Sequence, residues 1–120
     1  MTACIFCEIA AGKSPAKHLG SWISTVIIEP LNPVTPGHLL VIPRTHVADA
    51  TEDAGVTATT MHDAAQCVNM IRQVRPEYES VNFITSVGVP ATQSVFHLHV
   101  HIVPRHEGDG LQLPWTETGR

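Results

Sequence analysis

Residues 93–103 read Gln93-Ser94-Val95-Phe96-His97-Leu98-His99-Val100-His101-Ile102-Val103. The three histidines alternate with aliphatic residues, which is the side-chain period of a β-strand. The pattern predicts a strand over residues 95–103 with the histidines on one face and the aliphatic residues against the core. An exposed polar face or a metal clip can explain a single histidine. Three in register, beside a glutamine and a serine that can donate hydrogen bonds, favour a catalytic site.

The composition limits the class of protein. A chain of 120 residues that is 43% hydrophobic is expected to form one domain over residues 1–120. The net charge of −4 argues against a nucleic-acid partner. No segment approaches the ~20 apolar residues of a membrane span, and the start lacks the pattern of a signal peptide. Three cysteines without a targeting signal predict reduced thiols and a cytoplasmic location.

The other segments predict an α+β domain. A long helix is expected from about Thr51 or Asp53 to Val74, with a stop at Pro76. Its apolar stripe, at spacings of three and four residues, is Met61, Ala64, Ala65, Val68 and Ile71. A short helical turn is expected over residues 4–11 and further strands over residues 22–28, 38–42 and 81–87. Strands on both sides of one long helix suggest an antiparallel sheet with that helix on one face. A free edge of such a small sheet often pairs with a second copy, which predicts a homodimer.

Cys4 and Cys7 have the C-x-x-C spacing of a tetrahedral zinc site. Two alternatives remain open from the spacing alone. The cysteines can be small apolar residues on a helical turn, or they can form a redox pair. The thioredoxin type of redox pair requires a preceding strand and a leading helix, and neither is evident in the sequence. A closed zinc site requires two further ligands.

Three segments together resemble the histidine triad (HIT) superfamily of nucleotide hydrolases and transferases, and the similarity is greatest to bacterial members of its Hint-like branch. The segments are residues 4–9, residues 32–46 and the triad stretch, and they occur in the order typical of the superfamily. The resemblance implies a HIT-like fold, with an antiparallel sheet of about five strands, one long helix and a short N-terminal helix. It also implies a homodimer and a nucleotide or nucleotide-like phosphate substrate.

The resemblance assigns the catalytic roles to His99, His101 and His38. A phosphorus centre with a good leaving group needs a nucleophile that is neutral near pH 7, and imidazole meets this need. The resemblance implies that His99 attacks the α-phosphate to form a nucleotidyl-histidine, which water then cleaves. It implies that His101 contacts the phosphate or the leaving group. The histidine that matches His38 lies behind the nucleophile in the superfamily, where it can help to fix the tautomer.

The resemblance also implies contacts to the phosphate oxygens and to zinc. The residues that the resemblance implies for phosphate binding are Gln93, Ser94, Ser86 and His101. In the zinc-bearing relatives, the two ligands that complete the cysteine pair match His46 and His97. We therefore expect a structural zinc ion held by Cys4, Cys7, His46 and His97.

Three positions depart from the superfamily pattern. Asp or Asn that binds the ribose hydroxyls is usual where this chain has Pro30, flanked by Glu29. Asn is usual at Ser86, and Gly is usual at Thr92. These departures leave the phosphoryl chemistry intact and question the recognition of the sugar.

The leading hypothesis is therefore an enzyme that cleaves nucleoside 5′-phosphoramidates or related phosphate substrates through a nucleotidyl-histidine. The alternative is a nucleotide-binding sensor or adaptor with negligible turnover. A third hypothesis, a zinc-dependent redox or metal-handling protein, rests only on Cys4 and Cys7.

Overall fold

The computed structural model describes residues 4–116, so the outermost residues of the predicted 1–120 domain lie outside the described part. It has an α+β fold with a five-stranded antiparallel sheet in the order β1-β2-β3-β5-β4, which confirms the predicted class. Two short 3-10 helices occupy Pro76–Tyr78 and Val89–Ala91. The principal elements are α1 (Ile5–Ala10), β1 (Lys17–Ser21), β2 (Thr25–Glu29), β3 (Leu39–Pro43), α2 (Ala54–Ile71), β4 (Val81–Ile84) and β5 (Val100–Pro104).

Both faces of the sheet are covered, which explains the continuous apolar runs of β2 and β3. Successive side chains of these strands point to opposite faces. One face packs against α2 and contains the cluster Ile27, Leu39, Val41, Ala64, Cys67, Val68, Tyr78, Val100 and Ile102. The other face packs against α1 and contains Phe6, Ile9, Val26, Ile28, Leu40 and Ile42. The histidines described below lie at the edge of this second cluster.

Helix α2 begins at Ala54, directly after the predicted Asp53, and ends at Ile71, three residues before the predicted end. The Asp53 carboxylate caps it by accepting the backbone N–H groups of Gly55 and Val56 at 2.9 and 3.1 Å. The predicted stripe was partly wrong, because two of its residues, Met61 and Ala65, are exposed. The buried helix face consists of Thr60, Asp63, Ala64, Cys67 and Val68.

The strands differ from the prediction at their ends. Strand β1 was missed because its five residues are all exposed and lack an apolar alternation. Strand β4 stops at Ile84 instead of continuing to residue 87, and β5 starts at Val100 instead of residue 95. The triad therefore does not lie on a single strand face. Only His101 belongs to β5, whereas His97 and His99 precede it in an irregular segment.

Gly37 places His38 immediately before β3. Its φ of +89° lies in the left-handed region that glycine adopts easily. A Cβ at this position would meet the Tyr78 hydroxyl at 2.8 Å, and this hydroxyl donates a hydrogen bond to the Gly37 carbonyl at 2.6 Å. The turn thus brings the chain tightly over Tyr78 just before His38 and β3.

Candidate functional site

His99 lies immediately before β5 and has a fixed tautomer. Its Nδ1 is 2.8 Å from the carbonyl oxygen of His97. Because a carbonyl only accepts, Nδ1 carries the proton and Nε2 keeps the unshared pair. The hydroxyl of Thr85 donates to the His99 carbonyl at 2.8 Å, and the Phe6 ring meets the His99 ring edge-on with centroids 5.1 Å apart. The geometry therefore presents a neutral imidazole nitrogen with an available electron pair.

His38 holds His101 rather than His99. The backbone N–H of Val34 donates to Nδ1 of His38 at 3.1 Å, so neutral His38 carries its proton on Nε2. That Nε2 lies 2.9 Å from Nδ1 of His101, which must accept. His101 therefore keeps its own proton on Nε2. His38 was expected to lie behind His99, but it lies beside His101 instead. The reason is the register of β3 and β5, which pairs Leu40 with His101 and brings His38 next to the His101 ring.

The rings of His99 and His101 are neighbours, with centroids 5.1 Å apart and planes at 65°. Burial lowers the pKa of His99, and the hydrogen bond to the His97 carbonyl opposes this shift. Burial, together with the nearby His99 and His38, lowers the pKa of His101 to about 4. Burial also lowers the pKa of His38. The cluster is therefore neutral at pH 7, with an unshared pair on one ring beside an N–H on the next.

These shifts predict that acid destabilises the fold. The ordinary histidine pKa is 6.5, whereas that of His101 is about 4 in the folded chain. Between these values the unfolded chain binds more protons, so the free energy of unfolding falls as the pH is lowered through this window. Urea unfolding between about pH 5 and pH 7 measures the slope. His101→Gln should flatten it, and the matched change His18→Gln, on exposed strand β1, should not. A stability that is constant or rises on acidification contradicts the account.

The four predicted metal ligands come together on the other side of His97. Their donor atoms all lie within 4.8 Å of one another. Nδ1 of His97 is 3.3 Å from Sγ of Cys4, 3.5 Å from Sγ of Cys7 and 3.0 Å from Nδ1 of His46. Sγ of Cys7 is 3.3 Å from Nδ1 of His46. The C-x-x-C turn, the segment after β3 and the triad stretch thus converge at one point.

This cluster fits a tetrahedral zinc ion. Two donors at zinc bond lengths of about 2.0–2.3 Å and tetrahedral angles lie roughly 3.3–3.8 Å apart, close to the separations seen. Nε2 of His97 donates to the carbonyl oxygen of Pro43 at 2.8 Å, which leaves Nδ1 unprotonated and able to bind a metal. Two sulfurs and two imidazoles are a common donor set for structural zinc.

The sequence profile of the HIT domain matches residues 11–108. The chain belongs to the HIT family. Protein hit of Bacillus subtilis (strain 168) is 36% identical over 115 residues, which cover 93% of this chain and 78% of that protein. Adenylylsulfatase HINT3 of Arabidopsis thaliana is 32% identical over 108 residues, which cover 90% of this chain and 55% of that protein.

A solved structure of a zinc-bound protein resembles this HIT chain in fold. A zinc-bound histidine triad family protein from Mycobacterium smegmatis is 35% identical and has a TM-score of 0.81. The match covers 92% of this chain and 81% of that one. The Cys4, Cys7, His46 and His97 cluster is therefore compatible with zinc by its own geometry and by this likeness.

The structure gives Gln93 a different task from the predicted phosphate contact. Its amide oxygen accepts the Gly88 N–H at 2.9 Å, and its amide nitrogen donates to the carbonyls of Ala48 and Val95 at 2.7 and 3.1 Å. Its backbone N–H donates to the Gly88 carbonyl. A phosphate oxygen needs donors, and those of Gln93 are already committed. Gln93 therefore shapes the loop over residues 88–95.

Ser86 precedes this loop and is half-buried, whereas Ser94 lies within the loop and is exposed. Within residues 4–116 neither side chain is hydrogen-bonded to the histidines, so their phosphate contacts remain predictions. Thr92, where HIT relatives usually have glycine, adopts a φ of +75°. The preference for glycine thus has a backbone cause, because a β-branched residue is strained in this region.

Two positions that hold His99 were not found from the sequence. Thr85 lies just beyond β4, and its hydroxyl donates a hydrogen bond to the His99 carbonyl. Phe6 lies between the two cysteines and contacts His99 only because α1 folds over the sheet. Both contacts are long-range in sequence and have no local motif. The contact of Thr85 with His99 could have been predicted if the register of β4 and β5 were known.

Proposed function

We propose that this HIT protein is a nucleotide hydrolase or transferase that cleaves nucleoside 5′-phosphoramidates or related phosphate substrates through a nucleotidyl-histidine on His99. The observation that carries the proposal is the 2.8 Å hydrogen bond from Nδ1 of His99 to the His97 carbonyl. This bond places the proton on Nδ1 and leaves the unshared pair on Nε2. A residue that only binds a nucleotide does not need its nucleophilic nitrogen prepared in this way.

The reaction proceeds in two displacements at the α-phosphorus. Nε2 of His99 forms a bond to phosphorus as the bond to the leaving group breaks, and the leaving group takes the bonding pair. Nδ1 keeps its proton, so the ring becomes cationic and the His97 carbonyl stabilises it. Water then attacks phosphorus, the pair returns to Nε2, and a proton of the water passes to solvent. The product is a nucleoside monophosphate.

The neutral state of His101 favours particular leaving groups. With a pKa of about 4, His101 serves at pH 7 as a hydrogen-bond donor through Nε2–H rather than as a source of a full proton. Suitable leaving groups therefore depart without a proton from the protein. An amine protonated on the bridging nitrogen of a phosphoramidate meets this condition, and so does a sulfate or phosphate anion. The adenylylsulfatase activity in the name of the Arabidopsis relative belongs to the second group.

A panel of adenosine and guanosine phosphoramidates, an adenylyl sulfate and dinucleotides tests this proposal. Release of nucleoside monophosphate is the expected result, because amine, sulfate and phosphate leaving groups all depart without a proton from the protein. Tight nucleotide binding without release from any substrate favours the alternative, a nucleotide sensor or adaptor.

Zinc is proposed as the resident structural ion at Cys4, Cys7, His46 and His97. A cytoplasmic location is also proposed, and among residues 4–116 no helix is both long and apolar enough to span a bilayer.

Weak discrimination between ribose and deoxyribose is predicted from Pro30. Proline has no side-chain acceptor for a sugar hydroxyl, and the neighbouring Glu29 carboxylate lies 3.2 Å from the Lys17 ammonium. A hydrogen bond to a charged group contributes about 1.5–3 kcal/mol, which corresponds to roughly tenfold or more in affinity. Pro30→Asp should therefore raise the preference for ribonucleoside substrates about tenfold, as measured by the ratio of kcat/KM values.

The matched control is Pro33→Asp, the same change at an exposed position of the same loop. It should leave the preference unchanged, and thermal unfolding of both variants checks the loop. A strong ribose preference in the wild type that Pro30→Asp does not alter contradicts the prediction. Glu29→Gln is then the next variant to measure.

A homodimer through β4 is also proposed. Strand β4 is an edge of the sheet, and its exposed Phe83 and Ile84 are large and apolar, unlike most of the opposite edge. Light scattering at low micromolar concentration should give twice the chain mass of 13.0 kDa. Phe83→Asp should shift it to the monomer, whereas Leu19→Asp on edge strand β1 should not. A wild-type protein that scatters as a 13.0 kDa species rejects the dimer.

A further inference from the structure

We infer that the metal centre of Cys4, Cys7, His46 and His97 positions the nucleophile His99, beyond any stabilisation of the fold. The inference rests on the proposed function for its effect on turnover. The geometric evidence does not depend on the proposed function. Three separate connections join the metal ligands to the atoms that hold the His99 ring. Each connection depends on a different ligand segment.

The first connection is residue 97 itself. The His97 side chain is fully buried, with Nδ1 among the metal ligands and Nε2 donating to the Pro43 carbonyl at 2.8 Å. Its backbone carbonyl is the acceptor for Nδ1–H of His99. His97 thus has two roles. Its side chain is one of the metal ligands, and its backbone carbonyl accepts the hydrogen bond that orients His99. A fixed imidazole at residue 97 therefore limits the movement of that carbonyl.

The second connection runs through His46. The next residue, Val47, accepts the N–H of Leu98 on its carbonyl at 2.8 Å. This N–H and the His97 carbonyl belong to the same peptide group, which is planar and rigid. The N–H of this peptide is therefore held by the segment that follows a metal ligand. The carbonyl oxygen of the same peptide accepts the hydrogen bond from His99. Movement of the His46 segment tilts the acceptor of the nucleophile.

The third connection runs through α1. Phe6 lies between the ligands Cys4 and Cys7, and its ring is 5.1 Å from the His99 ring and 6.0 Å from the His97 ring. Both contacts are edge-on. A helix of six residues is marginal by itself, so α1 depends on its anchors. Two metal bonds at the ends of this one turn would fix the ring that limits the rotation of His99.

Loss of the metal should therefore loosen the orientation of His99 while the cluster between the sheet and α2 remains packed. Loss of partners that orient a reacting group typically costs about ten- to a hundredfold in activity. We expect the loss in kcat, with KM nearly unchanged, because the substrate still meets the same surface.

The experiment compares wild type with bound zinc, wild type after chelation, and His46→Ala and His46→Cys. His46 is an exposed ligand outside the proposed catalytic group, and cysteine is an alternative zinc ligand. His18→Ala, at an exposed histidine on β1, is the matched control. Three quantities are measured on each sample: bound zinc, kcat and KM per folded molecule at a temperature below the unfolding transition, and the tautomer of His99. The last comes from long-range proton–nitrogen NMR spectra, assigned with His99→Ala.

The expected result is that a single Nδ1–H tautomer of His99 and a high kcat follow the zinc content across all samples, with restoration in zinc-loaded His46→Cys. Zinc-free protein that is folded and keeps both the tautomer and kcat overturns the inference. Global unfolding of every zinc-free sample overturns it as well, because the metal then holds the entire fold. If zinc-loaded wild type turns over no substrate, the proposed function fails, and the NMR comparison still decides this inference.

Discussion

Replacement of His99 by alanine is expected to lower turnover by at least about three orders of magnitude. The substitution removes the nitrogen whose unshared pair the His97 carbonyl has prepared, so no covalent intermediate can form. The β5 core residues Val100 and Ile102 lie on the opposite sheet face and keep their packing. The fold should therefore survive. Steady-state kinetics with an adenosine phosphoramidate measures the effect, with circular dichroism as the check of folding.

His106→Ala is the matched control, because it removes an exposed histidine from the segment after β5. It should leave kcat/KM at the wild-type value. Turnover of His99→Ala within about tenfold of wild type would show that this imidazole is not the nucleophile.

The combined change of Cys4→Ser and Cys7→Ser is expected to abolish zinc binding and to lower the melting temperature by about 10 °C or more. Two of the four ligands are lost, and α1 loses its anchor to His46 and His97. Complete unfolding is not expected, because the α2 cluster, which contains Val41 and Val100, does not include the metal ligands. Elemental analysis of protein purified without added zinc should give about one equivalent per wild-type chain.

Cys67→Ala is the control for loss of a thiol, because Cys67 lies in the buried α2 cluster. It should keep one equivalent of zinc. If the double variant retains the metal content and melting temperature of the wild type, these cysteines do not bind zinc.

The metal ligands could be predicted because the two cysteines are close in sequence and the resemblance supplied the two histidines. The structure then brings all four donors together. The class of fold could be predicted for a similar reason, since the apolar runs of β2 and β3 and the cap at Asp53 are local signals. Such signals need no knowledge of how distant segments pair.

The orientation of the histidines could not be predicted from their spacing. Alternation suggested that they share one strand face, whereas hydrogen bonds from Leu98 to Val47 and from Thr85 to His99 hold the chain outside the strand. The partner of His38 depends on the register that sets Leu40 opposite His101. Register is a property of the folded sheet and is not encoded in either segment alone.

The hydrogen-bond partners of the loop side chains also could not be predicted from a sequence motif. Gln93 can donate to a phosphate by its chemistry, yet its amide is used by three backbone groups of the loop and of residue 48. Buried polar groups must find partners, and Gln93 is only 5% exposed. Burial thus decides its role, and burial is visible only after folding.

Mass spectrometry of the intermediate tests the central claim most directly. The protein is mixed with an adenosine phosphoramidate, quenched within one turnover at alkaline pH to preserve a phosphorus–nitrogen bond, digested and sequenced. One adenylyl group is expected on the peptide that contains residues 97–101, located on His99, and no such group is expected in His99→Ala. Rapid release of adenosine monophosphate without any adenylylated peptide, or with the group on His101 or His97, would contradict this claim.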